Sequence, residues 1–244
     1  MQRTVFRLGV LLLAFACASG CQAERNFPDD ALPVARFPGT FVPDGRLTED
    51  GWHTTTKTRL ERFDGSCSAR QPTIFHVAWT AEELLFAFQC EDEDIFSRYR
   101  LRDEPLYLEE AVEIFLDPDG DRRDYMEFEV SPRGVLFDAA FSARRRNMNL
   151  GFNPQNRVGV SVDGTTDKRD DRDTSWTVEL AIPFDDMTGR GRRPPRIGDC
   201  WRANIFRLDK SRNSGEASSW KPTAGDFHDL EAFGSLCFVE STGK

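Results

Sequence analysis

The sequence has little of what marks the common catalytic and nucleic-acid-binding classes. Its three histidines, His53, His76 and His228, stand far apart, and neither a Gly-x-Ser-x-Gly nor a His-Glu-x-x-His motif occurs. A serine-hydrolase elbow and a zincin helix therefore have no support. Cys-x-x-Cys is missing as well, which leaves structural zinc and redox dithiols without a framework. Beyond residue 20 no stretch approaches the roughly 20 apolar residues that a spanning helix needs. There is no internal repeat of 20–50 residues, and the one biased run, Thr166–Thr174, reads as a charged hairpin tip. Positive charge is in deficit: 32 Lys and Arg stand against 41 Asp and Glu, a net −9. Nucleic acid, which needs a basic patch, is not an expected partner. The arginines of Arg144–Arg146 and Arg190–Arg193 sit in loop-like sequence and read as solvated turns.

What is present begins with an export signal. Residues 1–20 open with Arg3 and Arg7, pass through the apolar run Val10–Ala16 and end on Ala18-Ser19-Gly20 before Cys21. That is the order of a secretory signal. A Cys after Ser-Gly resembles a bacterial lipobox, with Cys21 lipidated as the new N-terminus; an ordinary cut near Cys21 is the alternative. The expected product is an exported lipoprotein, held to an outer-membrane, periplasmic or surface face by its lipid alone. Losing residues 1–20 removes Arg3 and Arg7, so the balance becomes 30 − 41 = −11. Residues 21–36 are polar and contain Pro28 and Pro33, as a tether would. The folded domain is expected over 37–240, as a monomer.

Cys17 and Cys21 belong to the signal, leaving Cys67, Cys90, Cys200 and Cys237. An even number in an exported chain suggests two disulfides, with three connectivities open. Proximity in sequence favours Cys67–Cys90 and Cys200–Cys237.

The informative stretch is Tyr107–Gly134. Val112, Ile114 and Leu116 alternate with Glu113 and Phe115; after an acidic turn, Met126, Phe128 and Val130 alternate with Tyr125, Glu127 and Glu129. Such a period of two predicts antiparallel strands with one buried face. The same pattern recurs in Thr73–Trp79, Leu84–Cys90, Val135–Phe141, Val158–Val162, Trp176–Pro183 and Trp201–Asp209. About nine short strands between Gly, Pro and Asp turns, with no convincing helix, predict an all-β antiparallel sandwich of immunoglobulin or jelly-roll kind. The faces opposite the apolar stripes collect Glu113, Glu127, Glu129, Asp138, Glu179, Arg202 and Asn204. A merely wet sheet face is one reading. Sugar recognition is the other, because charged planar groups grip hydroxyls and rings pack on pyranose faces.

Several separated segments, in order, carry a resemblance: LLFAFQCEDED, EEAVEIFLDPDGD, YMEFEVSPRG, WTVELAIPF, GDCWRANIFRLD and WKP followed by FHDLEAFGSL. Together they are similar to carbohydrate-binding module family 9, over roughly residues 37–240. The resemblance implies a sandwich related to DOMON-like domains, and a terminal sugar of an oligo- or polysaccharide, plant-type or other, held between two rings without catalysis. At the two tryptophan positions of the family this chain has Tyr107 and Phe227, smaller rings without the indole N–H. Glu113 matches the family's sugar-gripping Glu, whereas Glu129 replaces a basic residue and alters the donor pattern. Asn204 and Arg207 lie on the strand that would face the slot, with Trp220 near it or packed beneath it. The family also carries structural calcium. Asp117, Asp119 and Asp121, alternating around Gly120, offer oxygens for it, although the complete EF-hand spacing is missing. Two other functions remain open: a glycan hydrolase using carboxylates across the strands, and a purely structural surface domain.

Overall fold

The computed structural model describes residues 27–212 and 215–240, so the expected signal, Cys21 and the first part of the expected tether lie outside the described residues. Thirteen strands follow: β1 Ala31–Arg36, β2 Thr58–Arg59, β3 Glu61–Arg62, β4 Thr73–Trp79, β5 Glu83–Glu91, β6 Ala111–Asp117 and β7 Tyr125–Val130. The rest are β8 Leu136–Phe141, β9 Arg157–Asp163, β10 Ser175–Pro183, β11 Cys200–Asp209, β12 Glu216–Ser219 and β13 Gly234–Val239. Only four short 3-10 turns interrupt them, and no α-helix occurs among the described residues.

Hydrogen bonding runs in the order β8-β7-β6-β11-β13-β1-β4-β5-β10-β9, a mixed sheet that curls into a sandwich. The expectation of a purely antiparallel sheet is corrected at β1, which pairs in parallel with both β13 and β4. It also shortens the tether, because Ala31–Arg36 is a strand of the sheet. Leu32 and Val34 enter the core, so this segment is held by apolar burial as well as by the ladder.

Alternation explains the curl. Phe75, Val77, Phe86, Phe88, Val178 and Leu180 from one half meet Val112, Ile114, Leu116, Phe128, Ile205 and Leu236 from the other in one buried cluster. Each such side chain contributes about 1.5–3 kcal/mol on leaving water, which a flat sheet would forfeit. Both halves also bury their outer faces. On the β4-β5-β10 side, Phe37, Phe41 and Trp52 cover Leu85, Ala87 and Ala181. Glu179 pins that cover: its carboxylate accepts from the backbone N–H of Asp44 and Gly45, both at 2.9 Å, and from Trp52 Nε1 at 2.7 Å. Gly45 is required there, since φ is +81° and a Cβ would lie 2.5 Å from Ser161 N.

Cys200 and Cys237 are cross-strand partners on β11 and β13 and form a disulfide. The second expected bridge is not made. Cys90 points into the inter-sheet core and is buried, while Cys67 lies on an exposed turn, and both are free. Strand parity, which puts Cys90 among Phe88 and Trp176, overrides sequence proximity. Closing a crosslink across 37 residues suggests that reduction, or Cys200→Ser, lowers stability by about 3–4 kcal/mol. Thermal melts with and without dithiothreitol check this; coincident curves would contradict it, and Cys67→Ser should leave the melting temperature unchanged.

Candidate functional site

The outer face of β6, β7 and β8 borders a concavity of ≈ 480 Å³. The strands supply Glu113, Phe115, Glu127, Phe137 and Phe141, with Leu208 from β11. Loops supply Tyr107, Arg145, Met148, Phe227 and His228. Tyr107 stands on the 3-10 turn Leu106–Leu108, whose Leu106 is buried, and keeps 44% of its surface exposed. Its ring meets Phe137 edge-on, centroids 5.8 Å apart. Phe227 lies flat on Phe206 at 4.1 Å and 8°. Deeper, Tyr125 stacks on Phe141 at 4.7 Å. Burial pushes His228 down to about 4, so the ring is neutral near pH 7, and its Nδ1 shares a hydrogen bond with the Tyr125 hydroxyl at 2.6 Å. The backbone N–H of Arg145 donates to that same hydroxyl oxygen at 3.2 Å. The rings are therefore fixed before any ligand arrives.

Beneath them lie three carboxyls. β6–β7 register sets Glu113 directly across from Glu129 and Phe115 across from Glu127. All three are buried. Burial, then the Glu127 charge, holds Glu113 well above the carboxylate range; burial, then Glu113 and Glu127, does the same to Glu129. Burial takes Glu127 to about 7. Glu113 Oε1 receives no hydrogen bond, and the Glu129 oxygens have no partner in good geometry, Glu127 and the Tyr107 backbone N–H being the nearest groups. Leaving buried acceptors unmet costs on the order of 1–3 kcal/mol each, so these oxygens are poised for donors. The linkage sign follows. Carboxyls raised in this way favour the fold at acid pH and lose that contribution as pH climbs from 4.5 through the folded value, about 7 for Glu127.

The other residues expected at the slot fall elsewhere. Arg207 shares parity with Trp201, Ala203 and Ile205 and so points into the inter-sheet core, corrected from the slot face. It is 1% exposed, and its Nη2 donates to Asp92 at 2.7 Å. Asn204 is on the outer side of β11, but its amide is spent on the backbone of Lys221, donating to O and accepting from N, both at 3.0 Å. Trp220 packs on Phe75 at 6.1 Å and joins the core. Asp138 also faces inward. On β8 the apolar Phe137, Ala139 and Phe141 line the outer side, and Asp138 pairs with Arg102 and Asn156 beneath the sheet. Phe115, Phe141 and Glu127 belong at the pocket although they were not singled out as site residues. Their shared parity with Glu113 across a hairpin was the available signal.

Two three-carboxylate groups have oxygens within 4.8 Å of one another among the described residues: Asp117, Asp119, Asp121 and Asp92, Glu110, Asp209. In the first, Asp117 accepts from the backbone N–H of Gly120 and Arg122, and Asp121 from that of Arg123. The turn uses its oxygens to close itself. The second was not foreseen, because its members lie on β5's exit, before β6 and at the end of β11. Both Glu110 oxygens and Asp209 Oδ2 are buried and unmet. Burial, then the Asp92 charge, raises Glu110 to about 10. Three carboxylates with Arg207 make −3 + 1 = −2 when ionised, a charge that one divalent ion neutralises. Asp92 already accepts from Arg207, Trp176 and Asp94, and Asp209 Oδ1 from Ser211, which leaves Glu110 and Asp209 Oδ2 as the open oxygens of a donor set whose chemistry fits calcium.

An aromatic and acidic concavity on the open face of a curled β-sandwich defines a ligand-binding module. The model of carbohydrate-binding family 9 matches residues 57–238, and the chain belongs to that family. An "Extracellular protein" of Arthroderma benhamiae is 26% identical over 247 residues, covering 93% of this chain and 98% of that one. Among solved structures, a candidate carbohydrate-binding protein from Bacteroides uniformis superposes with a TM-score of 0.71 at 19% identity, over 85% of this chain and 98% of its own. A family 9 module from Caldicellulosiruptor kristjanssonii in complex with cellotriose gives 0.63 at 15% identity, over 86% and 94%. The same kind of module with glucose gives 0.61, at 15% identity over 88% and 98%. At these identities the likeness to the solved structures is one of fold.

Calcium at about 100 times its Kd is expected to add about 2.7 kcal/mol, or roughly 5–10 °C in melting temperature for a domain of this size. Glu110→Gln should abolish the response. A chelator-treated protein whose melt ignores added calcium would contradict the assignment.

Proposed function

We propose that this domain binds carbohydrate in the Tyr107–Phe227 concavity and performs no chemistry on it. The observation that carries the reading is the set of unmet, buried carboxyl oxygens beneath an aromatic rim. Sugar hydroxyls are donors of the right kind for Glu113, while the C–H face of a pyranose would pack on Tyr107 or Phe227. Family membership and the glucose- and cellotriose-bound neighbours support the same class of ligand. Stacking of a terminal sugar between the two rings is the finer form of this proposal. The absence of indole N–H groups would make that grip weaker and more dependent on the carboxyls.

Calorimetric titration with a panel of cello- and xylo-oligosaccharides tests it. Tyr107→Ala and Phe227→Ala should each weaken binding about 2- to 12-fold, the ring contribution of 0.5–1.5 kcal/mol, with the melt still cooperative and lowered by no more than a few degrees. Affinity indifferent to both substitutions would remove the rings from the site, and release of reducing ends at enzyme-like rates would replace binding with hydrolysis.

For location, the Ala18-Ser19-Gly20-Cys21 pattern supports an exported chain anchored through lipid on Cys21. Labelled palmitate should enter the wild type in a bacterial host and not Cys21→Ser; equal labelling of the two would exclude it.

A further inference from the structure

The pocket has a charge pattern that a neutral sugar does not complement. Glu113 and Glu127 line it, and Glu129 stands directly across from Glu113 on the next strand. The groups facing them from the surrounding elements do not balance this charge. Arg145 reaches the rim, but its Nε and Nη2 are both on Asp226 Oδ1, at 3.0 and 2.7 Å. Arg144 holds the other Asp226 oxygen at 2.7 Å. His228 is engaged with Tyr125, and Tyr125 itself is a neutral phenol. β8 and the outer side of β11 contribute Phe137, Phe141, Phe206 and Leu208; Lys210 lies past the end of β11 and is exposed. Arg144 and Arg145 are thus matched by two acids, Asp226 and, at 3.5 Å from Arg144, Asp229, and the three carboxyls are left over.

We propose that the preferred ligand carries a primary ammonium on its sugar ring, an amino sugar of the hexosamine class. The proposal rests on the carbohydrate reading above and narrows it. A hydroxyl supplies a donor but no charge, so a neutral sugar leaves the carboxyls needing protons to remain buried. An ammonium supplies three N–H donors together with the missing positive charge, and charge-assisted bonds are about twice as strong as neutral ones. The rings assist, because aromatic faces attract cations where water is excluded. A bare metal ion is the poorer match, since Glu113, Glu127 and Glu129 do not form one of the tight oxygen groups found elsewhere in the fold. Binding exchanges a proton for the ammonium: carboxyls that hold protons in the empty pocket release them when the cation arrives.

The test uses the chain lacking residues 1–20 and carrying Cys21→Ser, titrated calorimetrically near pH 6.5 with glucosamine, glucose, N-acetylglucosamine, chitobiose in its deacetylated form, and cellobiose. Two buffers of different ionisation enthalpy are compared. The deacetylated amino sugars should bind at least tenfold tighter than their neutral counterparts, with proton release into the buffer. Glu113→Gln and Glu127→Gln, isosteric changes that remove buried acid, should bring glucosamine and glucose to equal affinity, the amino sugar losing more than the neutral one, while the melt stays cooperative. Equal affinity for glucosamine and glucose, tighter binding of the neutral sugars, or a preference that survives both substitutions overturns the charge assignment and leaves the sugar site standing. Failure of every sugar to bind overturns both.

Discussion

The register between β6 and β7 is the constraint on which the rest of this molecule depends. Pairing Val112 with Val130, Ile114 with Phe128 and Leu116 with Met126 gives the inter-sheet core one continuous apolar wall. The same pairing necessarily sets Glu113 opposite Glu129 and Phe115 opposite Glu127 on the other side. A slip of one residue would bury three carboxylates in hydrocarbon and expose the valines, so the core fixes the site as firmly as it fixes itself.

The protein deals with buried acid in two ways, and the contrast separates structure from function. Glu179 receives three donors and serves as a pin for the loop that carries Trp52. Asp92 likewise holds Arg207 and Trp176 across the sandwich. Glu113 and Glu129 receive fewer donors than they can accept, although the fold could have placed an Arg or Asn beside them. Unmet acceptors under a preformed cage of rings are a cost in stability. Glu110 and Asp209 show the same deficit on a smaller scale.

Much of this was legible in the order of residues. Strand positions followed from the period-two runs, and β4, β5, β7 and β10 fall within a residue or two of their expected limits. Parity alone put Glu113, Phe115, Tyr125, Glu127 and Glu129 on one side of one hairpin. It misled at β8, where both faces are apolar or buried and Phe137 could be assigned to either side; Asp138 was then placed outside when it lies beneath. At Arg207 parity and family pattern point opposite ways, and the residue follows its own alternation with Ile205 into the core. The β1 segment was hidden because two prolines and flanking acids resemble a tether. A strand that pairs in parallel on both sides has no hairpin partner in sequence to reveal it.

The sequence by itself determined the all-β class and the aromatic and acidic face of the central hairpin, because both depend on local periodicity; proximity favoured Cys200–Cys237 and Cys67–Cys90 alike, and the fold makes only the first. Only the tertiary structure decided what else meets that face. Closure of the sheet joins Phe227 and His228, near the end of the chain, to Tyr107 and Glu113, near its middle, and it gathers Asp92, Glu110 and Asp209 from three elements. Whether a carboxyl meets a donor depends on what the fold brings within 3 Å of it, and no spacing along the chain encodes that distance.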